Sequence, residues 1–276
     1  GTIYAFRDPL GIKPLCIGKI DRGYIVASES VAIDALDGTL VRDVRPGELV
    51  RIDEDGLSSI QVATANRRAH CIFEYIYFAR ADSVIDGRLV YDVRRRIGQN
   101  LYDADPVEGD IVCPVPDSGT AYAAGYAERS GIPFVEGLMK NRYMGRTFIM
   151  PTQQQREWAV RIKLNTVRGN LKDRRVILVD DSIVRGTTSR RIVNMIREAG
   201  AKEIHLCVGS PPIIAPCYLG VDMPTRTELI ANSRDVEAVR ESIGATSLIY
   251  VPFEDLMGAI GCGERDLCTG CLTGCY

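Results

Sequence analysis

Residues 176–189 read VILVDDSIVRGTTS, an order that few architectures accommodate. Four consecutive apolar residues, Val176, Ile177, Leu178 and Val179, fit a strand buried on both faces, as in a parallel sheet covered by helices. Asp180 and Asp181 then emerge at its carboxyl end, where open α/β sheets place their ligands. Adjacent carboxylates can accept from a vicinal diol, and they can approach a Mg²⁺ shell, which takes oxygen ligands and keeps waters. Gly186 allows close backbone approach. Thr187, Thr188 and Ser189 supply hydroxyls and amides at a helix start, where the dipole favours a phosphate dianion. Sugar hydroxyls beside a monophosphate describe a ribose 5-phosphate site. An isolated Asp-Asp pair before a capping Thr188 would be only a turn and a helix start. The buried strand before the pair and the Gly-Thr-Thr-Ser run after it favour the ligand. No Walker A run and no Gly-x-Gly-x-x-Gly after a strand is present, so triphosphate and dinucleotide sites have no support.

The rest of the chain has the texture of two segments, and 276 residues leave room for one large domain or two smaller ones. Short apolar runs at 17–20, 23–27, 40–44 and 49–52, punctuated by Gly23, Pro46, Gly47 and Gly56, predict an antiparallel sheet. A polar connector at 63–68 sets a boundary at residue 66. From Cys71 onward apolar runs alternate with helical periodicity, the pattern of a mostly parallel α/β sheet. Strands are expected at 110–115, 133–136, 175–179, 203–209 and 248–251, and helices at 88–102, 120–129, 188–199 and 235–243. Ile192, Val193 and Ile196 form one stripe of the 188–199 helix, and Gly200 stands where a left-handed cap would end it.

Composition removes several classes of function. Lys and Arg number 34 against 36 Asp and Glu, a net charge of −2, so a polybasic nucleic-acid or membrane-surface binder is disfavoured. No run approaches the ~18 consecutive apolar residues of a membrane span, and residues 1–7 lack the regions of a signal peptide. The expected compartment is the cytoplasm. Nine cysteines are an odd number, and Cys262, Cys268, Cys271 and Cys275 fall in the last fifteen residues. In a large cytosolic chain such a cluster reads as metal or cluster ligation rather than disulfides. Cys268-x-x-Cys271 suits thiolate ligation, and from spacing alone tetrahedral zinc serves as well as an iron–sulfur cluster. Cys16, Cys113 and Cys207 lie in apolar runs as small core residues, and neither His70 nor His205 has a partner pattern.

Residues 180–189 resemble the phosphoribosylpyrophosphate (PRPP) motif of type I phosphoribosyltransferases, and their wording is similar to that of the amidophosphoribosyltransferase family. FRDPLGIKPL at 6–15, EYIYFAR at 74–80, VPDS at 115–118, KNRYMGRTF at 140–148 and SPPIIAPC at 210–217 match the same family in order. The resemblance implies a type I phosphoribosyltransferase fold over 67–276, with an Fe–S binding C-terminal tail. Residues 1–66 would be the closing portion of an N-terminal nucleophile glutaminase domain. The implied reaction makes phosphoribosylamine and pyrophosphate from PRPP, the first step of purine biosynthesis, with ammonia drawn from glutamine. It implies that Asp180 and Asp181 hold the ribose hydroxyls and help place Mg²⁺, with Ser182 beside them. Arg185, Gly186, Thr187, Thr188 and Ser189 would cradle the 5-phosphate. Asp117, Ser118, Gly119 and Thr120 would form the pyrophosphate loop, with Ser118 near the metal, although a plain strand-to-helix turn reads the same way. Lys140 and Arg146 belong to a stretch with the composition of a mobile lid, and Lys163 matches a position that reaches the pyrophosphate. Cys71, Cys217, Cys268 and Cys271 match the ligands of a [4Fe–4S] cluster of structural role, with Cys262 and Cys275 as nearby spares. A homo-oligomer, a tetramer in the family, is implied as well.

Gly1 aligns deep inside the family's N-terminal domain, and the chain-terminal cysteine nucleophile has no counterpart in this sequence. Glutaminase activity is therefore expected to be absent and ammonia to be the nitrogen source. A PRPP-sensing regulator of the same fold is the alternative. It would need a basic winged-helix segment at the start, where the sequence is strand-like instead. A non-catalytic metal scaffold is the third reading, and the intact 180–189 set speaks against it.

Overall fold

The computed structural model describes residues 1–141, 164–223 and 225–276. They pack into two compact units. One comprises Gly1–Arg94, Ile214–Pro224 and Glu254–Tyr276; the other comprises Arg95–Ile213 and Thr225–Phe253. Packing thus groups 67–94 and the C-terminal tail with the opening segment.

In the first unit, Glu48–Asp53 runs antiparallel between Ile3–Phe6 and Gly56–Gln61. Cys16–Ile20 likewise lies between Gly23–Ala27 and Thr39–Asp43. Ile17, Val44, Val50 and Ile52 fill the core of this part, as the alternating short runs predict. The FRDPLGIKPL stretch is a folding device here. The buried Arg7 guanidinium donates to the carbonyls of Val44 at 2.9 Å and Gly11 at 3.2 Å, and pairs with Asp86 at 3.0 Å. Asp8 accepts from the amides of Leu10 and Ile12, closing the turn.

The second unit is built on a parallel sheet in the order Ile111–Pro114, Arg175–Asp180, Glu203–Val208, Ser247–Tyr250. Residues 176–180 are all buried, so the central strand is covered on both faces. Val176 and Leu178 share a core with Ile192, Val193 and Ile196, the apolar stripe of the Thr187–Glu198 helix. Each of those three side chains contributes roughly 2 kcal/mol by leaving water, so the helix is held by its stripe rather than by propensity. Gly200, with φ +100°, follows its end. The helices Val90–Ala104, Thr120–Ser130 and Val236–Ile243 complete the expected set, the last capped by Asp235, which accepts from the Ala238 amide at 2.8 Å.

Two expectations need correction. Residues 133–136 do not form a strand: only Phe134 bridges Val112, because Pro133 has no N–H to continue a ladder. A helix at Phe253–Ile260 was not foreseen, since it is short and carries Gly258. No helix among the described residues is long and apolar enough to cross a membrane.

Candidate active site and cysteine set

The strand Arg175–Asp180 delivers Asp180 and Asp181 to the carboxyl end of the sheet, where both are buried. Asp180 Oδ1 accepts from the Asp181 amide at 2.9 Å, and Ser182 Oγ donates to Asp181 Oδ2 at 2.5 Å. Burial pushes the Asp180 carboxyl well above the usual carboxylate range, and the neighbouring Asp181 charge pushes it further. A buried acid pair held this way is poised to accept sugar hydroxyls or share a cation, either of which relieves the repulsion.

The chain then turns through Gly186, whose left-handed φ of +74° a side chain would strain. Arg190 N–H donates to the Gly186 carbonyl at 2.9 Å. The amides of Thr187, Thr188 and Ser189 therefore precede the first bond within the helix and point out of its N-terminus. Thr187 and Thr188 are exposed and Ser189 is buried. Backbone donors arranged in this way can cradle an anion. Arg185 is turned aside, its Nε donating to Glu228 Oε2 at 2.9 Å.

The Pro116–Gly119 stretch adjoins this strand. Val115 N–H donates to the Val179 carbonyl at 2.9 Å, and Gly119 N–H donates to the Val115 carbonyl at 2.8 Å. A Cβ on Gly119 would lie 2.3 Å from the Val179 oxygen, so only glycine lets the loop lie against the strand end. Thr120 begins the following helix. Asp117 and Ser118 thus stand at the same rim of the sheet as Asp180 and Asp181. Lys140 Nζ pairs with Asp117 Oδ2 at 2.6 Å, both side chains being exposed. Arg146 and Lys163 lie outside the described residues.

Cys71, Cys217, Cys268 and Cys271 all belong to the first unit. Cys71 and Cys268 face each other in parallel register, and the amides of Ile214 and Ala215 donate to the Cys271 carbonyl. Leu219 N–H donates to Cys217 Sγ at 3.3 Å. Burial pushes the Cys271 thiol up to about 12, with Cys71, Cys268 and Cys217 each adding to the rise. Burial likewise takes Cys71 to about 11. Among the described residues no group of three or more His, Cys, Asp or Glu is spaced to hold a metal ion. Cys113 and Cys207 are buried in strands, as expected of core residues. His205 bonds Ser247 and Glu203. His70 lies 3.0 Å from Arg7 and 3.5 Å from Asp86.

An acid pair, a left-handed glycine and a helix N-terminus on a parallel sheet fit the fold of type I phosphoribosyltransferases, and residues 81–209 match the model of the phosphoribosyl transferase domain. The whole chain goes further. It is 57% identical over 277 residues to the amidophosphoribosyltransferase of Archaeoglobus fulgidus, covering 100% of this chain and 61% of that protein. It is 49% identical to that of Bacillus subtilis, covering 98% and 57%. The solved structure of glutamine PRPP amidotransferase from B. subtilis complexed with ADP and GMP matches with a TM-score of 0.92 and 48% identity, covering 100% and 61%. The chain is a homologue of the amidophosphoribosyltransferases over the part of their length that it spans, about three fifths.

Proposed function

We propose that this chain catalyses the phosphoribosyl half of the amidophosphoribosyltransferase reaction. The nitrogen lone pair of ammonia forms a bond to the anomeric carbon of PRPP. The bond from that carbon to the pyrophosphate oxygen breaks with its electron pair, and the nitrogen loses a proton to give phosphoribosylamine. The observation that carries the reading is the buried Asp180–Asp181 pair handing over to the amides of 187–189. The acids would grip the ribose diol and thereby orient the anomeric carbon, and the amides would fix the 5-phosphate. Positioning of this kind supplies much of the rate in a reaction whose charge develops on the leaving group. Asp117, Ser118, Gly119 and Thr120 would receive the pyrophosphate. Lys140, already at that rim, would meet its charge, joined by Arg146 and Lys163.

The donor set fits Mg²⁺: Asp180, Asp181 and Ser118 offer hard oxygens, and Asp180 carries a burial penalty that a cation would offset. When bound, Mg²⁺ would neutralise pyrophosphate charge and ease its departure. The cysteine set fits a [4Fe–4S] cluster held by Cys71, Cys217, Cys268 and Cys271. Such a cluster spaces its thiolates more widely than a single ion does, and the amide at Cys217 is the kind of donor cluster sulfurs accept. Its role would be structural, since the transfer needs no electron.

Cys16 is a poor candidate for a nucleophile releasing ammonia from glutamine, being buried with its thiol pushed up to about 11. Ammonia would therefore be the nitrogen source for these residues. The assignment of 1–66 to an N-terminal nucleophile domain and 67–276 to the transferase domain belongs to the same proposal, as do the cytoplasmic setting and the homo-oligomer, up to a tetramer. Pyrophosphate release from PRPP and Mg²⁺ tests the reading, with ammonium or glutamine as donor. Release with ammonium only is expected. Binding of PRPP without release under any donor would favour the sensing regulator instead.

A further inference from the structure

Behind the phosphate loop lies a cleft of about 240 Å³, and one of its walls is the segment Glu228-Leu229-Ile230. This segment touches the loop at three consecutive points. Ile230 N–H donates to the Val184 carbonyl at 3.0 Å. The Ile230 side chain covers Gly186 so closely that a Cβ there would stand 2.4 Å from Cδ1. Glu228 Oε2 accepts from Arg185 Nε at 2.9 Å. Val184, Arg185 and Gly186 are the residues that carry the chain from the acid pair to the helix, and Leu229 anchors the segment in turn, being 2% exposed.

The cleft itself is not an anion site. Arg190 donates to the carbonyl and hydroxyl of Ser242, and Arg234 donates to the same hydroxyl. These guanidiniums are thus engaged with the C-terminal end of the Val236–Ile243 helix, where cations belong. What remains for the cleft wall is mechanical. A loop in a left-handed turn has few contacts of its own, and its amides bind an anion well only if they are already aimed. The 228–230 segment supplies a backbone bond, an apolar cover and an ion pair to that turn.

We infer that Glu228 and Ile230 are positioning residues for the 5-phosphate, acting through Val184, Arg185 and Gly186 without touching the substrate. The inference rests on the phosphate-loop reading above. Its test uses the full chain and two ligands titrated separately by calorimetry, ribose 5-phosphate and Mg²⁺-pyrophosphate. Ile230→Ala should weaken ribose 5-phosphate about tenfold, while pyrophosphate affinity stays within about twofold. Glu228→Gln, at a half-exposed site, should weaken ribose 5-phosphate about threefold. Ile230→Val, which keeps the cover, should restore affinity to near the parent value.

Equal loss of both ligands in Ile230→Ala, or no change in either, overturns the inference. Should Ile230→Ala fail to fold, an unchanged ribose 5-phosphate affinity in Glu228→Gln overturns it too. A parent chain that binds ribose 5-phosphate but releases no pyrophosphate refutes the proposed reaction and leaves the loop result standing. A parent that binds no ribose 5-phosphate refutes both.

Discussion

Two buried carboxylates, one in each unit, live in opposite surroundings. Glu48 in the first unit accepts from Arg42 through both oxygens, at 2.7 and 2.8 Å, and from the Arg45 amide at 2.8 Å. Against its own burial, those donors bring its carboxyl down to about 2. Asp180 in the second unit is equally buried, but its nearest charge is another acid, and its carboxyl is driven up. Glu48 is satisfied by the fold, and Asp180 is satisfied only by something that arrives. Unrelieved electrostatics mark a site, whereas relieved electrostatics mark a scaffold.

The contrast breaks most easily at the acid pair. Asp180→Asn should lower pyrophosphate release at least about a hundredfold, yet leave thermal stability at pH 7 equal or higher, because it removes a charge the fold disfavours. Loss of both activity and stability would erase the distinction. Next in size, Cys268→Ser and Cys271→Ser should bring iron and sulfide in anaerobically purified protein close to nothing and abolish visible absorption. Retention of iron in either variant, or zinc in its place, would remove the cluster from the proposal.

Glu48→Gln should do the reverse of Asp180→Asn, costing about 2 kcal/mol of stability in denaturant unfolding with little effect on PRPP affinity. The pH dependence has a definite sign. Because the folded Glu48 value lies below the ordinary 4.5, its contribution is complete above pH 4.5 and is lost as pH falls toward 2. Asp180 is displaced the other way, so its ionisation opposes folding as pH rises above the ordinary 3.8. Acid-unfolding curves of the two variants should therefore diverge from the parent in opposite directions. The smallest effect is expected at Gly186→Ala. The left-handed backbone costs about 1 kcal/mol of stability there, and the Ile230 end that covers this glycine must move aside, so KM for PRPP should rise about tenfold or more.

The site was legible where its parts are neighbours in the chain. Residues 176–189 contain the strand, the acids, the glycine and the helix start in one run, and the helix observed at Thr187–Glu198 lies within one residue of its expected bounds. Its hydrophobic stripe was readable because helical spacing is local. The ladder that 133–136 fails to join depends on a missing amide in a particular pairing, which apolar texture does not reveal. Glu228 and Ile230 left no signal, since Glu228 meets Arg185 across 43 residues and neither residue type announces such a role. Arg7 was visible only as part of a motif; its burial among carbonyls and Asp86 is a tertiary fact.

The register that sets Cys71 opposite Cys268 has a topological consequence. Joining those two sulfurs through one inorganic core would turn residues 72–267 into a closed ring, and the entire phosphate-binding unit is spliced into its circumference. Such a clasp would act mainly on the unfolded chain, by denying it the freedom of an open polymer. Iron loss would then lower the resistance of the parallel sheet to unfolding through the unfolded chain alone.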